Sequence, residues 1–173
     1  MPEQANLVHG KVKWLKRNID EQGFTLIEIL VVLFLCSIVA LPAFYQWQQQ
    51  VKRLQLIDAA RQTAEFIYSN LMEGIYLNQH RIMTVNSTSK EWHLVVTDAD
   101  TAQQISQFKG DKFERIELKH ASRQSIHFYG RQGTSSPFRI ELNNESDQIS
   151  VIISSAGRVR SCSSQALAGV PKC

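Results

Sequence analysis

The 173-residue chain is poor in cysteine, with three, and in proline, with four. Three cysteines exclude a disulfide-dense miniprotein. Charge is nearly balanced, with 19 Lys and Arg against 16 Asp and Glu, and 43% of residues are hydrophobic. These values exclude a disordered polyelectrolyte, a collagen-like repeat and a polytopic membrane protein. No Cys-x-x-Cys pair occurs, and His80, His93, His120 and His127 lack the helical two-ligand spacing of a metal site. A Gly-x-Ser-x-Gly elbow and a phosphate-binding glycine loop are also missing, so neither enzymatic activity nor a cofactor is expected. One further absence is local. From Ile29 to Val51, 23 consecutive positions carry no charged side chain.

Within that stretch only Ser37 and Pro42 interrupt the apolar run up to Tyr45. As a helix, residues 24–45 would reach about 33 Å, enough to cross a bilayer core. A buried core helix of this length would carry a polar stripe. Lys11, Lys13, Lys16 and Arg17 precede the run, which places the N-terminus in the cytoplasm and the remainder outside. Residues 37–40 make a poor signal-peptidase site, so the segment is expected to be retained. Beyond it, Trp47, Val51, Leu54, Ile57, Ala60, Ala64, Ile67, Leu71 and Ile75 recur at spacings of three and four, predicting one buried helix face. The expected element is a single helix over about 24–78, bent near Pro42. Strands are predicted at 81–85, 92–97, 114–119, 125–129, 138–142 and 148–154, with 98–112 an exposed loop. The fold class is α+β, a long helix packed on an antiparallel β-rich domain.

Gly23-Phe24-Thr25-Leu26-Ile27-Glu28 opens the apolar run. A carboxylate entering a bilayer costs on the order of a few kcal/mol unless it is paired. Cleavage after Gly23 would create an amine at Phe24, and that amine on one copy could pair with Glu28 of another. The motif resembles that of the type IV pilins and pseudopilins. The resemblance implies cutting between Gly23 and Phe24 by a prepilin peptidase, N-methylation of Phe24 and an assembly role for Glu28. The chain then divides into a leader at 1–23, a transmembrane half-helix at 24–45, an amphipathic half at 46–78 and a periplasmic domain at 79–173. Implied partners are other pilins or pseudopilins and the inner-membrane assembly platform.

The segment Gln148 to Ser154 leads into Gly157-Arg158-Val159-Arg160-Ser161-Cys162, and the chain ends in Cys173. If the stretch stays extended, both guanidinium groups point to one side and suit phosphate oxygens, while Gly157 allows a tight turn and a close approach. In the compartment outside the inner membrane Cys162 and Cys173 can pair across ten intervening residues, holding the arginine segment against the domain. Cys36 reads as an apolar filler. The tail resembles the GspH/FimT branch of minor pilins, some of which bind DNA through a Gly-Arg-x-Arg motif during natural transformation. That resemblance implies double-stranded DNA as a partner, held by Gly157, Arg158 and Arg160, with Lys172 as a further contact. The competing readings are arginines that pair with Glu141, Glu145 or Asp147, and a type II secretion pseudopilin with protein partners only.

Charge follows the same division. Residues 1–23 hold four basic and three acidic residues, and residues 24–147 hold 12 and 13. The last 26 residues hold Arg158, Arg160 and Lys172 with no acid. The small overall excess is a local basic tail, which points to a confined anion contact.

Overall fold

Thr25 caps the first helix. Its hydroxyl accepts a hydrogen bond from the backbone N–H of Glu28 at 3.3 Å, so Thr25-x-x-Glu28 serves as a capping pair with an acid in the positive first turn. A computed structural model describes residues 23–88 and 91–173, so the expected leader lies outside the described residues except for Gly23. Helix α1 runs over Leu26–Tyr76, 51 residues including Pro42. It ends where Asn78 takes a left-handed conformation at φ 55°. There Asn78 N–H donates to Ile75 and Gln79 N–H to Gly74, a Schellman closure of the last carbonyls.

The chain forms two compact units, Met1–Pro42 and Ala43–Cys173. In the first, the apolar side chains of α1 from Leu26 onward are exposed. Among its described residues the second contains nine strands: β1 His80–Ser87, β2 Trp92–Asp98, β3 Gln104–Lys109, β4 Glu117–Ala121, β5 Ser125–Tyr129, β6 Thr134–Ser135, β7 Phe138–Asn143, β8 Gln148–Ile153 and β9 Val159–Cys162. They form two sheets, ordered β3-β2-β1-β5-β6 and β4-β7-β8-β9, with every pairing antiparallel. One hydrophobic cluster joins Leu56, Ile67 and Leu71 of α1 to Met83, Leu94 and Phe128 of the first sheet and Ile140, Val151 and Ile153 of the second. All buried residues of that core, Leu56 to Leu167, belong to the second unit.

Three expectations need correction. The buried face of α1 is Leu56, Ala59, Ala60, Thr63, Ile67, Asn70, Leu71 and Gly74, whereas Trp47, Val51 and Leu54 are exposed at 68%, 37% and 61%. Polar Thr63 and Asn70 enter the core because their donors are satisfied on the helix itself, by Ala59 O at 2.7 Å and Phe66 O at 2.8 Å. Ser106 Oγ also donates to Asn70 Oδ1 at 2.6 Å. Second, 98–112 is not all loop, since β3 lies within it as an edge strand whose side chains apart from buried Phe108 are largely exposed. An edge strand facing solvent needs few apolar residues. Third, β4 begins at Glu117, because Phe113 and Ile116 close consecutive turns and Arg115 is left-handed at φ 68°.

Arg81 is the largest departure from simple patterning. It occupies an inward position of β1 at 1% exposure. Its guanidinium donates to Glu73 Oε2 at 2.9 Å, Gln79 Oε1 at 2.9 Å and Asn70 O at 3.3 Å, tying β1 to the end of α1.

Candidate processing site and nucleic-acid interface

At the head of the chain Gly23 has open space around it and Phe24 is 76% exposed. The peptide bond between them precedes the first helical turn. Glu28 is exposed on that turn, and the apolar window that follows is unburied throughout while long and apolar enough to cross a membrane. The six residues Gly23 to Glu28, expected from the sequence to carry the cleavage motif, thus also lead into the helix.

At the other end, β8 and β9 form a hairpin. Ser154 N–H donates to Arg158 O and Gly157 N–H to Ser154 O, both at 3.0 Å, leaving Ser155, Ala156 and Gly157 as the loop. The last residue of such a loop takes a left-handed conformation, and Gly157 has φ 73°. A Cβ there would sit 3.1 Å from Gly133 O and 3.2 Å from a Leu71 methyl. The close approach that Gly157 permits is therefore to this chain's own backbone. Ser154 Oγ accepts from Arg158 N–H at 3.2 Å and steadies the turn.

Alternation then decides where the arginines go. Val159 opposes Ile153 and joins the core, while Arg158 and Arg160 on either side of it are exposed. Among the described residues neither guanidinium has a carboxylate within 4.0 Å. The nearby acids pair elsewhere: Glu145 with Lys52 at 2.7 Å, Asp147 with Arg53 at 3.1 Å and Glu141 with Arg139 at 3.9 Å. The hydrogen bond from Lys52 holds the Glu145 carboxyl below the ordinary glutamate range. Asp98, distant in sequence from the tail, is held low by hydrogen bonds from the Thr101 N–H and hydroxyl.

Cys162 and Cys173 are joined as a disulfide with Cα atoms 4.9 Å apart. The tail returns alongside Ser163, whose N–H donates to Pro171 O at 2.9 Å and whose carbonyl accepts from Cys173 N–H at 3.0 Å. Ser163 Oγ donates to Gln148 O at 2.8 Å, pinning this closure to β8. Lys172 is exposed beside Ser163, at the opposite end of β9 from Arg158. The structure brings Arg158 and Arg160 together on one face and sets Lys172 apart from them along the strand.

Two juxtapositions were not visible in the sequence. His80 Nε2 and His127 Nδ1 meet at 3.1 Å on adjacent strands, with His80 stacked on Tyr129. Among the described residues there is no group of three or more potential metal ligands. Arg139 also lies in a cross-strand row with Arg160, through Ile152. Alternation in 138–142 turns Arg139 outward, but the strand register that aligns it is set by the hairpin.

Residues 19–44 match the profile of the prokaryotic N-terminal methylation motif. Among solved structures the chain is similar to the minor pseudopilin EpsH from the Type 2 Secretion System of Vibrio cholerae, at 16% identity and a TM-score of 0.46, covering 62% of this chain and 98% of that one. No curated protein sequence matches the chain. What the comparisons establish is the prokaryotic N-terminal methylation motif at the head of the chain, on a long apolar helix in a protein whose strands form antiparallel sheets.

Proposed function

We propose that the chain is a minor pilin of the GspH/FimT kind that contacts double-stranded DNA through Arg158 and Arg160 during DNA uptake. The observation that carries this reading is the exposed arginine pair on one face of the β8–β9 hairpin, with no carboxylate within 4.0 Å among the described residues, while Glu145 and Asp147 are engaged by Lys52 and Arg53. Lys172 supplies a further cation at the far end of β9. Maturation proceeds by cleavage between Gly23 and Phe24 and methylation of the new amine, with Glu28 pairing to the amine of a neighbouring subunit. The apolar half of α1 crosses the inner membrane with its N-terminus cytoplasmic, and the β domain is periplasmic until assembly into a pilus.

Binding of this kind is sequence-tolerant and falls with salt, because each neutralised phosphate releases counterions. In a gel-shift with the full chain in non-ionic detergent, duplex binding is expected at low salt. Arg158→Ala/Arg160→Ala should weaken it and flatten its salt dependence by about 0.9 log units per lost phosphate contact. Equal binding by wild type and double mutant would remove DNA from the reading and favour a pseudopilin that engages only proteins.

A further inference from the structure

Strand register sets a third arginine beside the pair. Arg139 on β7 opposes Ile152 on β8, and Ile152 opposes Arg160 on β9. Residues in one cross-strand row project to the same face of a sheet, so Arg139 and Arg160 share the face opposite the buried Val151 and Ile153. Two strand spacings separate Arg139 from Arg160, roughly 9–10 Å, and Arg158, just before β9, lies about 7 Å from Arg160 along the chain. The Arg139 side chain is 52% exposed. Among the described residues its one acidic neighbour in the salt-bridge range, Glu141, stands 3.9 Å away, beyond hydrogen-bonding distance. Ile152 lies half-buried between the two guanidinium-bearing strands.

We propose that Arg139 is a third phosphate contact, so that the DNA-facing surface is a cationic corner of the second sheet built by Arg139, Arg158 and Arg160 around Ile152. This rests on the reading of Arg158 and Arg160 as DNA contacts, and it adds a direction to it. Two arginines along one stretch of chain make a line that follows a single row of anions. A third, two strands away, makes a plane, which suits the paired phosphate rows of a duplex. The corner offers forks for phosphate oxygens, and its one apolar side chain gives no means to read base edges, so recognition stays independent of sequence.

The test is duplex binding by the full chain in non-ionic detergent over a series of salt concentrations, for wild type, Arg139→Ala, Arg139→Lys and Arg158→Ala/Arg160→Ala. Arg139→Ala is expected to bind more weakly and to reduce the slope of log affinity against log salt by about 0.9, with Arg139→Lys close to wild type. A thermal melt of each variant identifies any loss of fold, and if Arg139→Ala melts early, the same comparison is made with Arg139→Gln. If the Arg139 variants keep wild-type affinity and slope while the double mutant loses both, the corner is wrong and the arginine pair stands alone. If the double mutant too behaves as wild type, the underlying DNA reading has failed.

Discussion

Arg81 stands where strand alternation reserves a place for an apolar side chain, at the first inward position of β1, ahead of Met83 and Val85. Its burial is tolerable because Glu73, Gln79 and the Asn70 carbonyl accept from its two terminal nitrogens, although its Nε is buried without a partner. Little in the local sequence announces this, since only Gln79 is a near neighbour, while Asn70 and Glu73 on the end of α1 come within reach only after the Asn78 turn. Gly157 is the opposite case. A glycine before a basic pair suggests room for a ligand, yet the left-handed backbone and the Gly133 carbonyl explain it without one. Replacing it with alanine should destabilise the domain by about 1–2 kcal/mol from the left-handed conformation, with the tight contacts adding to that. Urea denaturation of wild type and Gly157→Ala measures it; an unchanged midpoint would mean the hairpin relaxes to another loop geometry. Arginine placement, by contrast, was legible, because period-two alternation around Val159 requires no knowledge of the partner strand.

At the scale of elements, the turn between β7 and β8 is fastened to α1 by three links: Lys52 to Glu145, Arg53 to Asp147, and Asn144 Nδ2 to the Lys52 carbonyl at 3.1 Å. Glu145 titrates below its ordinary range when folded, so it binds a proton less readily in the native than in the unfolded state. Its contribution is fully present above the unfolded value and disappears as pH falls through the lowered folded one. Glu145→Gln should therefore melt earlier than wild type near neutral pH, and the gap should close under acid conditions. A gap that widens on acidification would reverse the sign. The long helix was legible from the uncharged run and the unbroken span before Gly74, and so were most strands of the second sheet. The buried stripe was misplaced because its inward positions include Thr63, Asn70 and Gly74, which an apolar count skips. Strand β3 was missed because an edge strand satisfied by solvent on one side lacks the apolar content that marks a central one.

For the whole molecule, the separation of charge matches the separation of tasks. Four cations and three acids precede the apolar run, the body is slightly acidic, and the last 26 residues carry three cations without an acid. Maturation gives a direct test. Mass spectrometry of the membrane-extracted chain is expected to find its N-terminus at a methylated Phe24, and an intact leader would contradict pilin-type processing. One feature of α1 bears on how such a protein can exist at all. The core begins at Leu56, yet the large apolar side chains among the preceding residues, from Phe24 to Leu54, remain exposed. Folding and solubility are consequently governed by different parts of one helix. The core of the domain closes without them, whereas the large apolar side chains between Phe24 and Leu54 are left uncovered and call for a host other than water.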